Sequence, residues 1–246
     1  MAKAIGTGQG PTTVHITLQG KGGVGKSFVS SLLVQYYRQQ ERPVHCFDTD
    51  PVNPTLAQYR ALNAERINVL KRGAINEKEF DTMVERVCTN AGVFVVDTGA
   101  TTFVPLWNYV LENEVLSLLG KHGRQVYVHS VVTGGQALAD TLNGFEKLAQ
   151  TTHERNVIVW LNEYFGEVEG FTDLKVTQDN VDKLVGSVMI RERNPQTFGD
   201  DVKQMLQKRM TFDEAIKSDQ FYLVSKQRLS IIRRDIFDQI DQLSLA

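Results

Sequence analysis

The sequence predicts a three-layer α/β fold: a mostly parallel central sheet with helices on both faces. Three observations predict it. Short apolar runs alternate with helix-period patterns almost to the end of the 246-residue chain. The runs are apolar at consecutive positions, as strands covered on both faces must be. The first run passes through a glycine-rich turn straight into a helical pattern.

Met1 to Pro11 is rich in Gly, Thr and Gln and reads as a flexible tail. Its Gly6-x-Gly8-x-Gly10 spacing precedes the first strand rather than following one. Val14 to Leu18 is the first strand. Phe28, Val29, Leu32, Leu33, Tyr36 and Tyr37 recur as on the buried side of a helix. Val44 to Phe47 is the second strand, ending at Asp48, and Glu77 to Thr89 is helical. Val93 to Val96 is the third strand, stopping at Asp97. Val126 to Val132 is the fourth, followed by a Thr133-Gly134-Gly135 loop and a helix over Gln136 to Gln150. Val157 to Leu161 is the fifth and Gly186 to Ile190 the sixth.

After Asn194-Pro195 the pattern is helical only. Thr211-Phe212-Asp213-Glu214 has the form of a capping box and starts a helix. A final helix runs from Ser225 to Leu243, with Leu229, Ile232, Ile236, Ile240 and Leu243 on one stripe. That stripe packs on the sheet. Asp235, Asp238 and Asp241 on the polar side oppose binding to anionic lipid, and the neighbouring Lys226, Arg228, Arg233 and Arg234 read as a solvated face.

Composition sets further bounds. Apolar residues make up 41% and charged residues 23%, ordinary for a globule. With no internal repeat and no long linker, residues 12–246 read as one domain behind a tail at 1–11. A net charge of −2 argues against a protein that coats nucleic acid. No secretion signal or apolar run of spanning length is present, which points to the cytoplasm. Cys46 and Cys88 form no metal motif and read as buried thiols. His15, His45, His122, His129 and His153 lack metal-ligand spacing. His15, His45 and His129 lie within strands and read as packed, hydrogen-bonded histidines. Tyr36, Tyr37, Trp107 and Trp160 read as core aromatics.

The chemistry centres on Gly20-Lys21-Gly22-Gly23-Val24-Gly25-Lys26-Ser27, a phosphate-loop pattern between strand and helix. Glycines let successive backbone N–H groups turn inward, and the following helix aims its positive end at the same anion. Gly22, Gly23, Val24, Gly25, Lys26, Ser27 and Phe28 are therefore candidate nucleotide contacts. Lys26 suits the β- and γ-phosphates and the Ser27 hydroxyl suits Mg²⁺. Asp48, Asp50 and Asp97 stand at or just past the carboxyl ends of strands, where ligands of parallel sheets bind. Carboxylates there serve a hard cation or orient an attacking water. Asn162, at the end of the fifth strand, offers a donor and an acceptor to a purine edge. Lys21 projects over the phosphates or reaches those of a neighbouring subunit.

This glycine-lysine loop resembles the deviant Walker A signature of the ParA/MinD ATPases, members of the P-loop NTPase fold. Asp48 and Asp50 resemble that family's Asp-x-Asp-Pro switch I, and Asp97 its Walker B or switch II aspartate. The resemblance covers roughly Val14 to Asn162. It implies that Lys21 contacts ATP across a nucleotide-sandwich homodimer, that Asp50 helps position the hydrolytic water, and that Asp97 holds Mg²⁺ through water. Four segments make a narrower likeness to the TraL- and StbB-type ATPases of conjugative plasmids: Leu18 to Gly23, Thr133 to Leu138, Trp160 to Gly166 and Asn194 to Gly199. That likeness implies a role in plasmid conjugative transfer or plasmid positioning, and the loop with its ParA/MinD resemblance implies a Mg²⁺-dependent ATPase, binding ATP and ADP, that works as an ATP-driven dimerisation switch. Its partners would be proteins of a plasmid transfer or positioning system. Two departures stand out. Val52-Asn53 replaces the usual glutamine after Asp-x-Asp-Pro. Asp97-Thr98-Gly99-Ala100-Thr101 displaces the switch II glycine. Iron-carrying and nitrogenase-type relatives need cysteines this chain lacks. Two other readings stay open: an ATP-regulated module attaching to DNA or a membrane scaffold with little turnover, and a small-molecule kinase.

Overall fold

The computed structural model describes residues 10–152 and 154–245. The tail expected at 1–11 falls almost wholly outside them, as does His153. In chain order the elements are β1 (Thr13–Leu18), α1 (Lys26–Gln39), β2 (Val44–Asp48), β3 (Glu65–Arg66), β4 (Leu70–Lys71), β5 (Ala74–Ile75), α2 (Glu79–Thr89) and β6 (Val93–Asp97). There follow α3 (Phe103–Glu112), α4 (Val115–Lys121), β7 (Gln125–Thr133), α5 (Leu138–Thr151), β8 (Val157–Asn162) and α6 (Lys175–Gln178). The last are β9 (Leu184–Ile190), α7 (Asp200–Gln207), α8 (Phe212–Lys217) and α9 (Leu223–Gln242).

Seven strands form one sheet in the order β3-β2-β6-β1-β7-β8-β9, every pair parallel. The chain builds outward from β1 on one side as far as β3, returns with β6, and continues on the other side with β7. β1 therefore sits at the point where strand order reverses, and the crevice there opens at its carboxyl end.

Alternation along the strands divides the core. Val93 and Val95 of β6 pack with Leu32 and Leu33 of α1, Met205 of α7, Phe212 of α8 and Ile236 of α9. Phe94 and Val96, one residue out of phase, pack with Phe80 of α2, Leu106 of α3 and Leu119 of α4. On that second face Phe145 and Ala149 of α5 cover Val157 and Val159. Burying a side chain such as Leu32 contributes about 1.5–3 kcal/mol, so each helix is held chiefly by its apolar stripe.

The Thr211–Glu214 capping box forms, with both reciprocal bonds present. Leu229, Ile232, Ile236 and Ile240 are buried and Leu243 packs at the edge of the same core. Tyr36, Tyr37, Trp107 and Trp160 are all buried. The structure departs from the sequence reading at Cys88 and in the sheet, and it adds α3, α4, β4 and β5. Cys88 is only partly buried, because it falls near the C-terminal end of α2, beside the exposed Thr89 and Asn90; Cys46 in β2 is buried. The sheet has a seventh strand, β3, whose two exposed residues pair with Phe47 and Asp48 and carry no apolar signal. No helix among the described residues is long and apolar enough to cross a membrane.

Candidate nucleotide site

The phosphate loop leaves β1 at Leu18 and enters α1 at Lys26. Gly23 and Gly25 have φ of 76° and 106°, left-handed conformations that a side chain would strain. Gly25 is the N-cap of α1, and its carbonyl accepts from Val29 N at 2.9 Å. The loop is anchored from below by Gln19, fully buried. Its amide nitrogen donates to Val131 O (2.9 Å) and Thr141 O (3.0 Å), and its Oε1 accepts from Gly20 N (2.9 Å). A Cβ on Gly144 of α5 would lie 2.0 Å from that Oε1.

A cleft of about 460 Å³ opens above the loop. Gly22, Gly23, Gly25, Lys26, Ser27, Phe28 and Asp50 all line it. Lys26 is 7% exposed and its Nζ donates to Lys21 O at 2.8 Å. Burial pulls its ammonium below the ordinary lysine range, and the charges of Asp97 and Asp50 pull it back up. Val24 is buried and does not line the cleft; its carbonyl accepts from the Asn162 amide.

The carboxylates divide into three roles. Asp97 is fully buried at the end of β6. Its Oδ1 accepts from the Ser30 hydroxyl at 2.9 Å, and its Oδ2 has no hydrogen-bond partner. Burial raises its pKa to about 7 against the opposing pull of the Ser27 and Ser30 hydroxyls and Lys26. Asp48 was expected among cation ligands. Instead its Oδ1 accepts from Asp50 N (3.0 Å) and its Oδ2 from Ala57 N (2.9 Å), so it pins the loop after β2. Burial raises its pKa too. Asp50 reaches the cleft, with Oδ1 accepting from Val52 N and Asn53 N at 2.9 Å each. The three carboxylates do not converge, and among the described residues no three His, Cys, Asp or Glu side chains are grouped to hold a metal ion.

Two further candidates have partners outside the cleft. Lys21 points away from the cleft and ion-pairs with Asp140 of α5 at 2.8 Å, both half-exposed. Asn162 is 4% exposed and faces the back of the loop. It donates to Val24 O (2.9 Å) and accepts from Tyr164 N (3.2 Å). One N–H and the oxygen of its amide thus position the glycine turn.

A second cavity of about 350 Å³ adjoins the first, sharing Phe28. Tyr164, Ile190, Pro195 and Phe198 line it. It thus brings together the segments Trp160 to Gly166 and Asn194 to Gly199. Its aromatic and apolar side chains suit the flat face of a nucleobase, and charged residues including Arg191, Glu192, Arg193 and Asp235 line it as well. Sequence reading missed Tyr59, Leu206 and Arg209 in the phosphate cleft. They come from loops and from a helix far along the chain, without any motif.

Residues 16–222 match the family model described as the CobQ/CobB/MinD/ParA nucleotide binding domain. One Protein TraL from Escherichia coli is 41% identical over 233 residues, covering 93% of this chain and 97% of that protein. A second is 40% identical over 237 residues, covering 94% and 98%. The solved structure of the MinD cell division protein of Aquifex aeolicus aligns with a TM-score of 0.55 at 14% identity, covering 95% of this chain and 99% of that one. At that identity the likeness shows fold, and the fold is that of the P-loop NTPases. The chain belongs to the CobQ/CobB/MinD/ParA nucleotide-binding domain family.

Proposed function

We propose that this protein is a Mg²⁺-dependent ATP hydrolase whose ATP-bound form pairs two copies, acting in the cytoplasm in plasmid transfer or plasmid positioning. The observation that carries the reading is the buried, unpartnered Oδ2 of Asp97 beside the Ser27 end of α1. A buried carboxylate oxygen without a donor is costly, and a hydrated Mg²⁺ beside nucleotide phosphates would relieve it. Ser27 and Asp97 would hold the ion, which would offset phosphate charge when bound.

The chain's own groups then have distinct tasks. The loop N–H groups and Lys26 bind the β- and γ-phosphates. Asp50, fixed by the amides of Val52 and Asn53, orients the attacking water. The base occupies the cavity walled by Tyr164 and Phe198. Lys21, released from Asp140, crosses to the ATP of the second copy. The near full-length similarity to the TraL proteins supports the plasmid role, with proteins of that system as partners.

Calorimetry with Mg²⁺ and ATP or ADP tests the core of this reading. The parent protein should bind both and release phosphate from ATP, and Lys26→Ala should bind neither. Absence of binding by folded parent protein would overturn it. DNA binding at low salt without ATP turnover would favour the attachment-module reading instead.

A further inference from the structure

We infer that Arg209 is a triphosphate-sensing residue, a cation supplied from the C-terminal helical segment that favours ATP over ADP. The inference rests on the nucleotide reading of the cleft and adds a residue to it.

Arg209 follows α7 and lines the same cleft as Lys26, Ser27 and Asp50. Its guanidinium meets only neutral oxygens. Nε donates to Gln58 Oε1 at 3.0 Å, one amino group to Leu206 O at 3.0 Å, and the Tyr59 hydroxyl lies against it as well. It is absent from the ion pairs among the described residues. A full charge, and the N–H groups not given to Gln58, Leu206 and Tyr59, thus stand at an anion cleft with no carboxylate paired to them.

The backbone gives a second reason. Arg209 has φ of 52° at the turn where α7 ends, a position where glycine is the ordinary residue. The long charged side chain there is tied to Gln58 and Tyr59 as well as to its own helix at Leu206. Those contacts reach the wall formed by the loop after β2: Gln58 and Tyr59 lie just beyond Asp50, Val52 and Asn53. A diphosphate would be held by Lys26 and Ser27 of the phosphate loop. Beyond Lys26, Arg209 is the other cationic side chain among the described residues lining the cleft, so it is the group available to a third phosphate. Binding there also ties the segment after α7 to the loop after β2.

The test is titration of ADP and of a non-hydrolysable ATP analogue, each with Mg²⁺, against parent, Arg209→Gln and Arg209→Lys. A lost charge-assisted contact corresponds to roughly 10–100-fold in affinity. Arg209→Gln should weaken the ATP analogue by that factor and leave ADP within about twofold, with Arg209→Lys between. Equal affinity for the ATP analogue in parent and Arg209→Gln, or equal weakening of both nucleotides, overturns the inference. If the parent binds neither nucleotide, the reading of the cleft itself fails. A measurement on parent protein covers the case of a variant that does not fold. Modification of Arg209 by phenylglyoxal, read by mass spectrometry, should be blocked by the ATP analogue and not by ADP; equal protection by both overturns the inference.

Discussion

The carboxylate of Asp50 occupies the space a side chain at Gly99 would need: a Cβ built there lies 2.5 Å from Asp50 Cγ. The displaced glycine of Asp97-Thr98-Gly99 therefore has a local reason. It admits the loop after β2 against the loop after β6. Thr102 Oγ1 reinforces the junction, accepting from Gly99 N at 3.0 Å. Gly99→Ala should push Asp50 out of place. The expected result is a loss of ATP turnover of about tenfold or more, with ADP binding within about threefold and an overpacking cost of about 1–3 kcal/mol. Turnover equal to that of the parent would separate the Asp50 position from the chemistry.

Lys21 and Asp140 form an exposed pair, and such pairs contribute about 0–1 kcal/mol. Asp140→Asn should leave urea stability within about 0.5 kcal/mol. It should strengthen ATP-dependent self-association in light scattering, because Lys21 is freed. Lys21→Ala should keep ADP binding and lose the ATP-dependent dimer. A normal dimer in Lys21→Ala would remove the trans contact.

Asp97 couples cation binding to protons. Its folded pKa of about 7 lies above the unfolded carboxylate value. Its neutral form therefore favours folding at low pH, and that contribution disappears as pH rises from about 4 to about 7. A cation needs the ionised form. Binding of Mg²⁺ and ATP at pH 6 should release nearly one proton, and at pH 8 close to none. Calorimetry in buffers of different ionisation enthalpy reads the difference. Asp97→Asn should abolish the release and raise stability at pH 8.

His15 and His129 make a buried relay with a fixed direction. Trp160 Nε1 can only donate, and it donates to His129 Nδ1 at 2.9 Å. His129 must then carry its proton on Nε2 and donate to His15 Nδ1 (2.9 Å), leaving His15 Nε2 to donate to Thr13 Oγ1 (3.1 Å). A second proton on either ring would set N–H against N–H. Burial lowers both pKa values, that of His129 to about 3 and that of His15 well below its usual value, with His129 and Arg42 adding to the latter.

The stability this relay supplies is complete above the unfolded histidine pKa and is lost as pH falls below about 6.5. Asp97 works in the opposite sense over the same range, so the measurement belongs in an Asp97→Asn background. There, lowering pH from 7.5 to 5.5 should cost about 1.4 kcal/mol per histidine. His129→Phe should flatten that slope and lose about 1–3 kcal/mol at pH 7.5 from the unpaired Trp160 donor.

Much of this was legible in the sequence because the signals were local. Six strands, the loop between β1 and α1, and the capping box at Thr211 are each written in a short window with a definite period or turn chemistry. The site was legible where a backbone motif encodes it: Gly22, Gly23, Gly25, Lys26, Ser27 and Phe28 do line the cleft, and Val24 is buried instead. It was not legible where tertiary packing decides a side chain's direction. Asp48 and Asn162 stand at strand ends, as ligand groups would, yet neighbouring backbone amides and carbonyls claim them. Arg209 lies 151 residues from Gln58, and no spacing rule joins the two. The helices Phe103–Glu112 and Val115–Lys121 were overlooked because they are short and follow one another with only two residues between.

The fit of Gln19 into the gap left by Gly144 has a consequence for divergence. Glycine inside α5 sacrifices about 1 kcal/mol of helix propensity relative to alanine, and the space it leaves is what seats Gln19. The two positions are bound to drift together. A descendant that keeps glutamine at 19 is barred from any larger residue at 144, whereas one that shortens 19 recovers alanine at 144 and a sturdier helix, at the expense of the tether beneath its phosphate loop.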